Sequence, residues 1–278
     1  MTVAEALREA ARRLAATSDS ARFDAELLMA HALGTDRSDL LVRRMAGPVP
    51  PDFARLIERR GRHEPVAYII GTQPFGGREF RVTTDVLIPR ADSETTVAAA
   101  LEACSAPRRV LDCGTGSGAL LLTVLAECPA AEGIGIERSP QALAVATGNA
   151  ERLGLAARAT FALADWREPG WADSLGTFDL IIANPPYVES GANLAPDVRE
   201  WEPAGALFAG TDGLGDYRVL VPQLPALLGN GGVAVLEIGA AQSDAVTAIA
   251  ADAGFSADLR RDTGGRPRAV ILRLGLGR

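Results

Sequence analysis

Lysine is absent from this 278-residue chain: all 28 basic residues are arginine. So complete a preference reads as coding bias rather than mechanism. Histidine and cysteine are nearly as scarce. The histidines are His31 and His63, and Cys104, Cys113 and Cys128 form no CxxC pair. That set lacks the ligand spacing of a structural zinc site, so no metal is expected. Free thiols without a disulfide framework suit a reducing compartment, and the expected location is cytoplasmic. No apolar run approaches the roughly 18 residues of a membrane span, so no membrane contact is expected. The opening stretch MTVAEALREAARRLAA reads as an amphipathic helix rather than a signal peptide. Excess positive charge is missing too. A net charge of −7 and a pI near 5.0 argue against broad non-specific nucleic-acid binding, which depends on neutralising phosphates.

What is present is ordinary for a globular protein: 47% hydrophobic and 23% charged residues. The length suits one large domain or two modest ones. Residues 1–65 carry apolar residues at helical spacing, in VAEALREAARRLAA, in ARFDAELLMAHAL up to Gly34, and in PPDFARLIERRGRH. The arginines within residues 59–63 read as a solvated face, with partner docking as the other option. His31 and His63 are assigned packing or surface roles. Residues 66–90 change character. AYIIGTQPFGGREFRV is rich in β-formers around Pro74 and Gly76-Gly77 and reads as a β-hairpin linker. Residues 91–278 then alternate strand and helix. RRVLDCG, EGIGIE, ATFALAD, FDLIIAN and GGVAVLEIG are strands, and two more close the chain within GFSADLRRDTGGRPRAVILRL. Continuous apolar strands imply a mostly parallel sheet of seven strands covered on both faces, an α/β doubly wound fold.

Two stretches carry chemistry. VLDCGTGSGALLL runs strand, loop, helix. Gly114, Gly116 and Gly118 let the backbone turn sharply and approach a ligand, with Thr115 and Ser117 between them. The next strand ends at Glu137, whose carboxylate can accept both hydroxyls of a ribose diol. Taken alone, this pairing leaves S-adenosylmethionine and NAD equally open, since Gly114-x-Gly116-x-x-Ala119 also fits the relaxed dinucleotide pattern.

The second stretch, Asn184-Pro185-Pro186-Tyr187, ends an apolar strand. Neither proline has an N–H to continue a helix or an interior strand, so the segment is a stiff extended corner. An amide nitrogen is a poor nucleophile because its lone pair is delocalised. The Asn184 side-chain oxygen and the Pro185 carbonyl can each accept one N–H of a planar NH2 group, which aims the remaining lone pair at a sulfonium. Tyr187 can lie against the substrate's flat face. This is catalysis by positioning and fixed dipoles, with no strong base required. It tips the cofactor toward S-adenosylmethionine, with S-adenosylhomocysteine as product.

NPPY together with VLDCGTGSG resembles the class I amino-methyltransferases, which have a Rossmann-like sheet. RRGRHEPVAYIIG, FRVTTDVLIPRADSET, WEPAGALFAGTDGLGDYR, LEIGAAQ and RFDAELLMAHALG extend the likeness over nearly the whole chain to the HemK/PrmC family. Those enzymes methylate the side-chain amide of the glutamine in the Gly-Gly-Gln loop of class I peptide-chain release factors. The resemblance implies a cofactor site of Gly114, Thr115, Gly116, Ser117, Gly118, Glu137, Asp165, Trp166 and Asn184. It implies a substrate pocket of Asn184, Pro185, Pro186 and Tyr187, with Asn184, Pro185 and Tyr187 at the chemistry. Residues 1–65 are expected to be the substrate-recognition domain, since the strand-helix region already holds everything the chemistry needs, and the chain is expected to be a monomer without direct nucleic-acid contact. Adenine methylation in nucleic acid is the alternative, as is methylation of an amide in another protein or a metabolite. RADSET departs from the family's usual RPDTE, WEP from FEP, and Cys113 stands where Leu is common.

Overall fold

Residues 1–275 are described by the computed structural model. They form two compact units: Met1–Thr72 with Leu194–Glu202, and Gln73–Asn193 with the chain from Pro203 onward.

The first unit is helical. Thr2 opens α1 (Val3–Leu14) with a capping box: its hydroxyl accepts from the Glu5 N–H at 3.3 Å, and the Glu5 carboxylate accepts the Thr2 N–H at 2.7 Å. Then come α2 (Ala21–Ala32), α3 (Arg37–Asp39), which runs on as a π-turn to Arg44, and α4 (Phe53–Gly61). Leu7, Leu14, Leu28, Met29, Leu40 and Ile57 are buried together between them. Residues 66–70, expected to open the hairpin linker, instead form helix α5 (Val66–Ile70). Pro65 stands at its N-cap, and Gly71 at φ 87° ends it in the left-handed region. The arginines of residues 59–63 are also not one solvated face. Arg60 is 6% exposed, and its Nε donates to Asp24 Oδ2 at 2.7 Å. Asp24 accepts the hydroxyls of Ser18 and Ser20 as well, both at 2.7 Å. Arg59 pairs with Glu64 and Arg62 with Glu58. The segment 194–202 belongs here through its helix Pro196–Trp201, whose Asp197 lies 3.6 Å from Arg60.

The second unit begins with the hairpin β1 (Thr72–Phe75) and β2 (Arg78–Arg81). Phe75 and Phe80 meet edge to face, with ring centroids 6.1 Å apart, and both are buried. Helix α6 (Glu94–Ala103) leads into the alternation β3 (Arg109–Cys113), α7 (Ala119–Glu127), β4 (Glu132–Glu137), α8 (Pro140–Arg152), β5 (Ala159–Leu163), β6 (Phe178–Ala183). With the segment helix counted as α9, the remaining elements are α10 (Ala204–Leu207), α11 (Gly215–Leu220), β7 (Leu228–Glu237), α12 (Ser243–Asp252), β8 (Phe255–Arg261) and β9 (Pro267–Leu274). The seven-stranded sheet has the order β5-β4-β3-β6-β7-β9-β8. β9 alone runs against its neighbours. Apolar clusters cover both faces, as the unbroken hydrophobic strands require.

The strand order places the site. The chain steps outward from β3 to β5 and then crosses back to β6, so β3 and β6 lie side by side where the direction of winding reverses. Open α/β sheets bind ligands at the carboxyl ends of strands at such a point. Cys113 pairs with Ala183 in the register, so Gly114 and Asn184 leave adjacent strands at the same level.

Candidate functional site

One pocket in the second unit gathers most of the residues named from sequence: Gly114, Thr115, Gly116, Ser117, Glu137, Asp165, Trp166, Asn184 and Pro186 all line it. Gly118 lies just behind, at φ 81°, as the N-cap of α7. Pro185 is buried beside Pro186, and Tyr187 stands outside the lining.

The glycine loop takes its shape from its surroundings. Gly114 has φ 77°, and a Cβ there would meet the Trp166 ring at 3.1 Å. Only a residue without a side chain lets the indole close against the loop. The Trp166 Nε1–H donates to Asp216 at 3.1 Å, so the ring is anchored by its polar edge. Asp216 is 2% exposed and also accepts from Arg167 at 2.8 Å. Under the loop, the Thr115 hydroxyl donates to buried Asp112 at 2.7 Å, and burial pushes the Asp112 carboxyl up to about 7. Asn149 on α8 is fully buried. Its amide donates to the Ser117 carbonyl at 2.9 Å and to the Arg81 carbonyl at 3.0 Å, and its oxygen accepts the Arg81 N–H at 2.7 Å. One side chain thus ties the loop to the hairpin.

Glu137, at the end of β4, is held by three backbone donors: Gly116 N–H at 3.1 Å, Arg138 N–H at 2.9 Å and Ser139 N–H at 3.0 Å. They fix the carboxylate against the pocket: Oε1 takes two of the three, and Oε2 takes one and keeps acceptor capacity for a ribose hydroxyl. Asp165 Oδ1 accepts the Arg167 N–H at 2.9 Å, which leaves its other oxygen for a ligand.

The corner 184–187 is braced from outside. Among the described residues, nothing hydrogen-bonds the Asn184 carboxamide, and Asn184 lines the pocket. Gln242 Nε2 donates to the Tyr187 carbonyl at 3.0 Å and to the Gly213 carbonyl at 3.2 Å, while its oxygen accepts the Gly239 N–H at 3.1 Å. Gly213 sits at φ 68°, where a Cβ would fall 2.4 Å from the Tyr187 carbonyl oxygen. The Tyr187 hydroxyl donates to buried Glu237 at 3.4 Å. Burial, with the negative charge of Glu237 adding to it, pushes the Tyr187 phenol up to about 12. The phenol therefore stays protonated throughout the working range and acts as a donor.

Several residues of this site carried no signal of their own in the sequence. Phe75, Val86, Leu87 and Pro89 supply apolar wall, and Arg90 and Ser93 add polar groups. Pro203, Gly205 and Ala206 form a strap along the pocket, fastened by Arg138, whose Nη2 donates to the Gly205 carbonyl at 2.6 Å. VLIPR and WEPAGALF resemble family segments, but nothing local in them shows that they line a cavity. Glu94 accepts the Gly76 N–H at 2.9 Å and steadies the hairpin turn. Cys113 is fully buried, which pushes its thiol up, as befits a small apolar filler.

Comparison with known proteins gives the family and the fold. Residues 5–71 match the family model described as PrmC N-terminal domain, and residues 105–201 match a methyltransferase domain. The release factor glutamine methyltransferase of Cereibacter sphaeroides is 45% identical over 99% of both chains. Those of Moorella thermoacetica and Geobacter sulfurreducens are each 40% identical, over 98% of both chains and over 92% and 91% respectively. Among solved structures, a methyltransferase from Pyrococcus furiosus has a TM-score of 0.53 at 16% identity, covering 71% of this chain and 89% of its own. A ribosomal protein L11 methylase from Lactobacillus delbrueckii has a TM-score of 0.50 at 22% identity, covering 70% and 84%. At those identities the likeness is one of fold.

Proposed function

The chain belongs to the release factor glutamine methyltransferase family, and from that membership and the pocket's geometry we infer that it methylates a peptide-chain release factor. The acceptor is the side-chain amide nitrogen of the glutamine in the Gly-Gly-Gln loop, and the donor is S-adenosylmethionine. The observation that carries the reading is the placement of Asn184, a strand-end carboxamide without a partner, beside the glycine loop and Glu137 in one pocket.

The residues present fit the donor. Glu137 offers a fixed carboxylate for the ribose, Trp166 a flat wall and Asp165 a free oxygen for the adenine, and the loop from Gly114 to Gly118 close backbone approach. When bound, S-adenosylmethionine supplies an electrophilic methyl group on a sulfonium. The protein's part is positioning. The Asn184 oxygen and Pro185 carbonyl each accept one N–H of the glutamine amide, Pro186 walls the pocket, and the Tyr187 ring lies against the amide plane. Fixed dipoles then act where water would have to reorganise. Once methylated, the nitrogen is acidic enough to release its proton without a dedicated base.

Residues 1–65 are assigned to recognition of the release factor, since the second unit already holds everything the chemistry needs. Residues 66–90, which run from helix α5 through the hairpin, are assigned as linker, and 91–278 as the methyltransferase domain. The acidic balance supports action without direct nucleic-acid contact. The active form is taken to be a monomer in the cytoplasm. Among the described residues, no helix is long and apolar enough to cross a membrane.

Incubation with tritiated S-adenosylmethionine and purified release factor, followed by peptide mass mapping, should place one methyl group on the Gly-Gly-Gln glutamine. Label on a different residue, or on nucleic acid alone, would reverse the assignment. Replacement Glu137→Ala should weaken cofactor binding by about 1.5–3 kcal/mol, the scale of hydrogen bonds to a charged group. Calorimetry that returns an unchanged dissociation constant would remove Glu137 from the ribose role.

A further inference from the structure

Glu237 ends β7 and is 1% exposed, yet the transfer chemistry makes no use of a carboxylate there. Such a burial is costly unless hydrogen bonds offset it. Three hydroxyls converge on this one: Tyr187 at 3.4 Å, Thr96 at 3.5 Å and Ser93. Ser93 comes from the RADSET segment and Thr96 directly follows it, and Ser93 itself lines the pocket. The positive charge of Arg268, 8% exposed and paired with Asp92 at 2.7 Å, acts on the same carboxylate. On the other side, the Tyr217 hydroxyl donates to the Glu237 backbone carbonyl at 2.7 Å, so the strand end itself cannot shift.

Tyr187 has two ends to hold. Gln242 holds the backbone end through the carbonyl. What remains free is the ring end, and among the described residues the partner of its hydroxyl is Glu237. We propose that Glu237 is a positioning residue for methyl transfer: by taking the Tyr187 hydroxyl it fixes where the far end of the ring lies, and so where the ring meets the substrate amide. This rests on the substrate reading above and deepens it. Glu237 touches neither substrate nor cofactor and acts only through Tyr187.

The test has two readouts. Turnover and KM for the release factor are measured at saturating cofactor in wild type, Glu237→Gln, Tyr187→Phe and the double variant. Glu237→Gln should lower kcat about tenfold, the scale of one well-placed hydrogen bond, and leave KM within about twofold. In the Tyr187→Phe background the same change should alter kcat by less than about twofold, because the hydroxyl it acts through is gone. Equal losses in both backgrounds would overturn the proposal. The second readout needs no activity. The chain has three tyrosines. With tyrosine labelled at the ring Cζ, the Tyr187 resonance should move in Glu237→Gln while that of Tyr68 stays in place. A Tyr187 resonance at its wild-type position would also overturn the proposal, whatever the kinetics. Wild-type protein that methylates no release factor would sink the substrate reading instead, and the resonance would still decide the role of Glu237. Should Glu237→Gln fail to fold, Glu237→Asp, which keeps the charge but withdraws it by one methylene, carries the same expectations.

Discussion

Asn184→Ala should lower turnover by roughly 10²–10³ while leaving the protein folded, because one preorganised polar contact that acts mainly in the transition state is worth about that much. The structure sharpens the reasons. The Asn184 carboxamide has no partner among the described residues, so its removal leaves no orphaned group inside the protein. The turn does not depend on it either. Pro185 and Pro186 stiffen the chain, and Gln242 grips the carbonyl of Tyr187. Stability should therefore change little, and cofactor affinity only modestly, since Glu137 and the glycine loop retain their contacts. Asn184→Asp separates shape from charge: it keeps an acceptor oxygen, loses the NH2 donor and adds a negative charge. Its turnover should fall between wild type and the alanine form. Single-turnover rates at saturating cofactor, with thermal unfolding in parallel, make the measurement. A folded Asn184→Ala that turns over like wild type would reduce 184–187 to a rigid turn.

Asp24→Ala should destabilise the first unit by about 3–5 kcal/mol, the usual loss when one partner of a buried ion pair is deleted and the other charge stays behind. Arg60 and Asp24 have side chains only 7% exposed each, far drier than the outer arginine pairs of α4. Three groups lose an acceptor together, the Arg60 Nε–H and the hydroxyls of Ser18 and Ser20, while Arg60 keeps only the more distant Asp197 at 3.6 Å and the Glu64 carbonyl at 3.4 Å. Replacing Arg62, whose side chain is 71% exposed, should cost less than about 0.5 kcal/mol by the same measurement. Urea unfolding followed by circular dichroism separates the two variants. A loss under about 1 kcal/mol for Asp24→Ala would show that water reaches the pair and replaces the missing oxygen.

The contrast between these two arginines marks where the sequence stops being informative. Arg59, Arg60 and Arg62 look alike in RRGRH. Only Arg60 points inward, and its partners lie far along the chain at Asp24 and Asp197. The sheet was legible because burial on both faces leaves a local trace: unbroken apolar runs such as LIIA need no distant partner to be recognised. The glycine loop and the 184–187 corner were legible for the same reason, since restricted or unusual backbone is written in single residues. Residues 66–70 misled because Val66, Tyr68, Ile69 and Ile70 favour strands by composition. A proline before them and a glycine in the left-handed region after them closed a single helical turn instead. Asn149, Asp216, Glu237 and Gln242 shape the site through contacts between residues 50 to 68 positions apart. Nothing beside them in the sequence reveals such a partner.

The first unit is made from two pieces of chain, Met1–Thr72 and Leu194–Glu202. During synthesis its helices emerge early, but Asp197 does not exist when Arg60 leaves the ribosome. Closure of that unit must wait for β3 to β6 and the 184–187 corner to be made, and it spans a long loop whose ends are expensive to bring together. The same connectivity governs how the protein can be recombined. No single cut separates the two units intact, so a chimera that exchanges the helical unit between relatives needs junctions at three places, near residues 72, 193 and 203.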